Sequence, residues 1–149
     1  MDDQRVDLKG TYEHLLDVKG RLTLPVPLRE QLMHGGAPTF SLALDSRNIV
    51  LMPPATWRQF VDRLNALRRT DEKAERVRRF ILSEAFDCHM DEQGRALVPP
   101  KLRGFAGIGR EVTLAGRGDA VEIWDRAAWR AYIREGRESL VADARELDL

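Results

Sequence analysis

Two five-residue stretches hold the residue types best suited to chemistry at a surface: Asp17-Val18-Lys19-Gly20-Arg21 and Asp91-Glu92-Gln93-Gly94-Arg95. In each, an aspartate begins a turn, where its carboxylate can accept hydrogen bonds from backbone amides ahead of it. Gly20 and Gly94 supply the positive φ that such a turn requires. The arginine follows at the start of the outgoing strand. A guanidinium placed there can donate two parallel hydrogen bonds to a guanine edge or to a phosphate. Lys19 stands at the tip of the first turn, and Gln93 takes that place in the second. The same residues have a plainer use. Arg21 and Arg95 can pair internally with Asp17 and Asp91, which needs no ligand. Spacing alone leaves both readings open.

Other chemistry finds little footing. His14, His34 and His89 lie in unrelated settings, and Cys88 is the single cysteine. Cys88 and His89 are adjacent, so on a strand they face opposite sides and cannot hold one metal ion together. No Cys or His pair has zinc-like spacing. Gly116-Arg117-Gly118-Asp119 reads as a turn, since no glycine-rich helix start follows it. Asp17 and Asp91 could form an acid–base pair across a pseudo-twofold, but turn capping accounts for both. From residue 63 to 79, seven cations face three anions. That stretch could be a phosphate-facing rim, although ion pairs on a solvated helix are the simpler account. Trp57, Trp124 and Trp129 read as core residues rather than base-stacking platforms. The expectation is a protein with no catalytic residue, no metal and no cofactor.

The turns belong to a longer repeat. Asp17, Gly20, Arg21, Pro25 and Arg29 return as Asp91, Gly94, Arg95, Pro99 and Arg103, all 74 residues later. Trp57 and Phe60 return as Trp129 and Tyr132, both 72 later. Around these anchors the pattern predicts strands over 8–16, 21–24, 40–44 and 48–52, with a short helix over 28–33 stopped by Gly35-Gly36. Asp45-Ser46-Arg47 reads as the hairpin turn between the last two strands. An amphipathic helix over 55–67 turns inward Trp57, Phe60, Val61, Leu64 and Leu67. A second, capped by Asp71 and running to about residue 84, turns in Ala74, Val77, Phe80 and Ile81. The second copy repeats the plan with strands over 86–90, 95–98, 111–115 and 120–124 and a short helix over 100–106. Its closing helix, capped by Asp125, turns in Trp129, Tyr132, Ile133 and Leu140, and its pattern fades past Ala144.

Four strands with one apolar face make a poor independent sheet. Two copies closing on each other remove the open edges. The expected fold is therefore α+β, a pseudo-twofold duplicated β-barrel with peripheral helices. The expected divisions are a flexible extension at 1–7, a first half at 8–84, a second half at 85–144 and a tail at 145–149. The chain has 149 residues and a formal net charge of zero, which argues against a generally sticky polycation. A lone cysteine, no signal sequence and no apolar run near the ~20 residues of a membrane span point to the cytoplasm and away from membranes.

The two Asp-x-x-Gly-Arg blocks, their proline-containing exits and the repeated Trp helices resemble the MraZ family of bacterial regulators of the division and cell-wall gene cluster. The wider similarity is to AbrB-like swapped-hairpin (double-split barrel) transcription factors. The resemblance runs in order from Leu8 to Tyr132. It implies tandem half-barrels in one chain, subunits assembled as a ring-like homo-oligomer, and a DNA-contacting arginine in the first block. By motif that residue is Arg21, with Lys19 and Gly20 beside it and Arg95 as its repeat. Asp17, Asp91 and Gly94 are the structural members of the turns. Where the family opens with an aromatic-Arg-Gly segment, this chain has Leu8-Lys9-Gly10. Lys9 keeps the charge without the planar fork and suits a phosphate rather than a base. The function this implies is sequence-specific binding of double-stranded DNA by a nucleoid-associated regulator. It would repress its own division and cell-wall operon through short direct repeats, with neighbouring cations and backbone amides holding phosphates. The alternative is a non-enzymatic assembly or partner-binding module that uses the same Gly-Arg turns.

Overall fold

The computed structural model describes residues 6–33 and 39–149. His34 and the expected helix stop at Gly35-Gly36 lie outside them. In chain order the elements are β1 (Thr11–Leu15), β2 (Arg21–Thr23), α1 (Val26–Met33), β3 (Thr39–Leu44), β4 (Ile49–Met52), α2 (Pro54–Asn65) and α3 (Glu72–Glu84). There follow β5 (Phe86–His89), β6 (Arg95–Leu97), α4 (Pro100–Ala106), β7 (Glu111–Gly116), β8 (Val121–Asp125) and α5 (Arg126–Glu146). The α+β class holds, and the strands pair antiparallel throughout.

Six strands form one sheet in the order β1-β7-β8-β4-β3-β5, and β2 pairs with β6 as a separate two-stranded ribbon. If each strand is exchanged for its repeat counterpart, the six-stranded order reads the same backwards. The copies are also intertwined. β1 lies along β7 of the second copy, with Tyr12 opposite Leu114. β5 lies along β3 of the first, with Phe40 opposite Cys88. β4 and β8 meet at the centre, Val50 opposite Glu122.

The closed barrel expected from the duplication is not what the hydrogen bonds make. Among the described residues, β1 and β5 are the outer strands of an open sheet and do not pair with each other. The physical reason lies in the Asp turns. Each outer strand runs into its turn and emerges as a ribbon strand, so the pairing left over is spent on the ribbon. Leu22 and Ala96 of the ribbon point into a core that they share with Leu16, Leu42, Leu114 and Ile123. One apolar core therefore takes residues from both copies.

The first strand begins three residues later than its pattern predicts. Gly10 sits at φ +91° and interrupts the ladder. Leu8, fully buried, instead exchanges two backbone hydrogen bonds with Gly118, at 2.9 and 2.7 Å. Gly116 faces the backbone of Lys9 so closely that a Cβ there would overlap it.

Two helices depart from their predicted faces. In α3, Val77 and Phe80 point outward, 47% and 46% exposed, while Ile81 packs inward with Trp57 and Phe60 against Ala43, Val50 and Met52. The buried place belongs to Arg78, which pairs with Glu75 and donates from Nε to the Leu64 carbonyl at 3.3 Å and from Nη2 to that of Leu67 at 3.4 Å. The C-terminal carbonyls of α2 lack helical partners, and a guanidinium on a long apolar stem can reach them. Leu67 itself is exposed. In α5, Asp125 accepts the Ala128 amide at 3.2 Å, and Trp129 and Tyr132 stack on Trp124 with centroids 5.4 and 5.1 Å away. Of the four residues predicted inward, Trp129 is partly buried, while Tyr132, Ile133 and Leu140 are exposed. Among the described residues no helix is long and apolar enough to cross a membrane.

Candidate nucleic-acid interface

The two Asp turns have the same internal bonding. Asp17 Oδ1 accepts the amides of Lys19 at 2.9 Å and Arg21 at 2.8 Å, while Oδ2 accepts Arg21 Nε at 2.7 Å. Asp91 Oδ1 accepts the amides of Gln93 and Arg95, both at 2.9 Å, and Oδ2 accepts Arg95 Nε at 2.8 Å. The Gly20 and Gly94 amides return to the Asp17 and Asp91 carbonyls, at 2.9 and 3.0 Å. Both glycines hold positive φ, +82° and +76°. The Arg21 amide, with the Arg21 side chain and the Lys19 amide adding to it, brings the Asp17 carboxyl down to about 2 against the opposing effect of burial. Asp91 is lowered in the same way, the Arg95 amide first.

This bonding has two consequences. The amides of residues 19 to 21 are already used, so within the turn itself it is the side chains that are free to meet a ligand. The internal ion pair is real in both copies, yet it engages only Nε. Among the described residues, the outer Nη atoms of Arg21 and Arg95 have no protein hydrogen-bond partner, and both side chains are about a third exposed. The aspartate thus fixes each guanidinium through its inner edge and leaves the outer edge for something else.

The ribbon brings the two turns together. Arg21 lies opposite Leu97, Leu22 opposite Ala96 and Thr23 opposite Arg95. Leu22 and Ala96 face the core, so alternation places Arg21, Thr23, Arg95 and Leu97 on the outer face. The turn glycines extend this ladder across the copies: Val98 donates to the Gly20 carbonyl and Leu24 to that of Gly94, both at 2.9 Å.

A second arginine pair crosses over the turns. Arg103, on α4, lies against Gly20 of the other copy, where a Cβ would come within 2.9 Å of its Nη2. Its Nε donates to the Val98 carbonyl at 3.1 Å. Arg29, on α1, covers Gly94 so closely that a Cβ would collide with Nη1, which donates to the Gln93 carbonyl at 3.5 Å. Glycine is thus required here by its dihedral angle, and a larger residue would also displace the guanidinium that lies on it. Sequence reasoning gives Arg29 and Arg103 no role. The available signal is their recurrence at the offset of the turns themselves.

Lys19, Gly20, Arg21, Gly94 and Arg95 are therefore brought to one ribbon. Lys9 is not. It stands at the far end of β1 from the Asp17 turn, paired with Asp7 at 3.7 Å and largely exposed. The basic stretch on α3 is partly internal through Arg78, and Cys88 is buried with its thiol pushed up to about 11 by burial.

The family model described as "MraZ protein, putative antitoxin-like" matches residues 8–80 and again 81–149. Relatives named "Transcriptional regulator MraZ" align over most of their length. The one from Heliobacterium modesticaldum (strain ATCC 51547 / Ice1) is 38% identical over 138 residues, 93% of this chain and 94% of its own. The one from Leuconostoc citreum (strain KM20) is 34% identical over 130 residues, 87% and 89% of the two chains. The one from Escherichia coli O127:H6 (strain E2348/69 / EPEC) is 36% identical over 122 residues, 80% of each.

Proposed function

The chain belongs to the MraZ family, and on that premise we propose that it is a sequence-specific DNA-binding transcriptional regulator, not an enzyme. The observation that carries this reading is the ribbon, which sets Arg21 and Arg95 on one outer face, each anchored by Nε and open at Nη. A two-stranded ribbon fits the major groove, and an arginine fork with a fixed inner edge suits the O6 and N7 acceptors of guanine. Lys19 supplies a phosphate contact at the rim. The architecture proposed with it is the AbrB-like swapped hairpin, duplicated in one chain with halves at 8–84 and 85–144. The reversed strand order supports that assignment.

A chain of zero net charge with one small ribbon gains little from a single contact with DNA. We therefore propose a ring-like homo-oligomer that engages several short direct repeats at once, gaining affinity by effective concentration. The proposed target is the promoter of its own division and cell-wall operon, the outcome repression, and the setting the nucleoid. A rival reading has one observation in its favour. The Asp–Arg pairs complete the turns without a ligand, as an assembly or partner-binding module would require. Fluorescence anisotropy with the DNA upstream of the coding region separates the two. The regulator binds that DNA far more tightly than a scrambled duplex, and one box much less tightly than several. Equal, salt-sensitive binding to both duplexes would favour the rival. Light scattering at micromolar protein checks the assembly: a monomer that binds one box as tightly as several would overturn the ring.

A further inference from the structure

We infer that Arg103 is a phosphate-binding residue that completes the first turn from the opposite copy, so that Lys19, Arg21 and Arg103 form one composite anion site. This rests on the DNA reading above and extends it to a residue outside the Asp-x-x-Gly-Arg blocks. The placement is specific. The guanidinium lies against Gly20, between the two residues that carry the first turn's charge, where a Cβ would come within 2.9 Å of its Nη2 and push it aside. Its Nε is held by the Val98 carbonyl, and Val98 is itself bonded to the Gly20 carbonyl, so Arg103 and the turn form one rigid unit. Among the described residues, Arg103 has no carboxylate within salt-bridge distance, and the same holds for Lys19. Three cations are thus offset by Asp17 alone.

The equivalent position in the other copy shows that this is not a generic property of the fold. Arg29 covers Gly94 in the same manner, but the cleft it occupies is also lined by Glu30, Asp91 and Glu92. The counterparts of Glu30 and Glu92 on the Arg103 side are Gly104 and Val18, which carry no charge. Among the described residues neither crossing arginine has a carboxylate within salt-bridge distance, but acidic side chains line the cleft over the second turn, whereas the counterparts of Glu30 and Glu92 over the first carry no charge. With Nε spent on the protein and the side chain laid across a glycine, Arg103 offers an edge at the rim of the ribbon, where the phosphate backbone would pass, rather than a fork aimed at a base.

The test is the salt dependence of DNA binding by the full chain and its Arg103→Ala, Arg103→Lys and Arg29→Ala variants. Upstream and random duplexes are both titrated, with circular dichroism and thermal melts alongside. A phosphate contact predicts that Arg103→Ala weakens both duplexes by a like factor and lowers the slope of log affinity against log salt by about one. Arg103→Lys should restore both quantities, since a point charge suffices, and Arg29→Ala should change the slope less. An unchanged slope in Arg103→Ala overturns the proposal, as does a loss confined to the upstream duplex that lysine cannot rescue. If the wild-type chain binds no duplex, the DNA reading itself fails. The composite site is then judged by inorganic phosphate in a nuclear magnetic resonance titration. Shifts at Lys19, Gly20 and Arg21 that Arg103→Ala abolishes support it, and shifts that survive in Arg103→Ala, or none in the wild type, overturn it.

Discussion

In the first turn the aspartate is followed by Val18 and Lys19, and Gly20 is covered by Arg103, which Gly104 follows on its helix. In the second it is followed by Glu92 and Gln93, and Gly94 is covered by Arg29, which Glu30 follows on its helix. The hydrogen bonds within the two turns differ by no more than about a tenth of an ångström. Geometry is thus set by the three shared residues, Asp, Gly and Arg, whose bonds close the loop. Charge is set by the two residues between Asp and Gly and by the helix residue beyond the crossing arginine, none of which takes part in that closure through its side chain. A duplicated turn can in this way keep its shape while one copy becomes cationic and the other weakly acidic.

The sharpest way to break this comparison is to remove each outward arginine in turn. Arg21→Ala should remove preference for the upstream duplex, at a cost of ~1–3 kcal/mol for each arginine–guanine pair. The fold should survive, because Leu22 and Leu24 still fill the core. Arg95→Ala should cost less, with Glu92 beside it and no Lys19 equivalent. Affinity for upstream and random DNA, measured with circular dichroism, decides it. A loss for Arg95→Ala that matches or exceeds that for Arg21→Ala would show the second turn to be an equal reader.

A milder test exchanges the variable residues. Val18→Glu with Lys19→Gln should lower affinity for random duplex and flatten its salt dependence, because it gives the first turn the charge of the second. Glu92→Val with Gln93→Lys should do the reverse. The closure of both turns is untouched by design, so melting temperatures should move little. Large shifts in melting would mean that these positions carry structure as well as charge.

The smallest effect concerns acid. Both aspartates are lowered in the folded chain, Asp17 to about 2. A free aspartate titrates near ~4, so the unfolded chain takes up protons first. The turns therefore contribute their full stabilisation above about pH 4 and lose it as the pH falls toward about 2. Asp17→Asn should remove part of that dependence. Thermal melts between pH 5 and pH 2 should show a shallower decline for Asp17→Asn than for the wild type, and parallel declines would argue against the first turn as an acid-sensitive element.

Much of this molecule is legible in its sequence because the controlling interactions are local. Asp, Gly and Arg fall within five residues, so the turn can be read from their order. The apolar periods mark most strands and helices within a residue or two. What is not legible depends on partners far along the chain. Arg29 reaches Gln93, 64 residues away, and Arg103 lies on Gly20. Neither crossing can be seen before the copies are known to intertwine. In sequence Arg78 reads as part of a solvated basic face, because nothing local says that the carbonyls ending α2 will need a donor. The outward turn of Val77 and Phe80 follows from the same event, since burying Arg78 rotates the apolar stripe of α3 toward the surface. The barrel follows from a sound physical rule about open edges, but β2 and β6 pair with each other as the ribbon and leave β1 and β5 as the sheet's outer strands.

The exchange of strands between the copies also governs how the molecule is made. Thr11 of β1 finds its partner at Ala115 of β7, and Leu15 at Glu111. During synthesis β1 leaves the ribosome ~100 residues before the strand it needs. At ordinary rates of elongation that is a wait of roughly 5–20 s, with an unpaired edge and an unfilled core. β5 has no such delay, because β3 has already emerged when it appears. The unpaired interval therefore falls on the start of the chain, and a ribosome stalled before β7 holds a sheet that cannot close over Leu8 and Leu16.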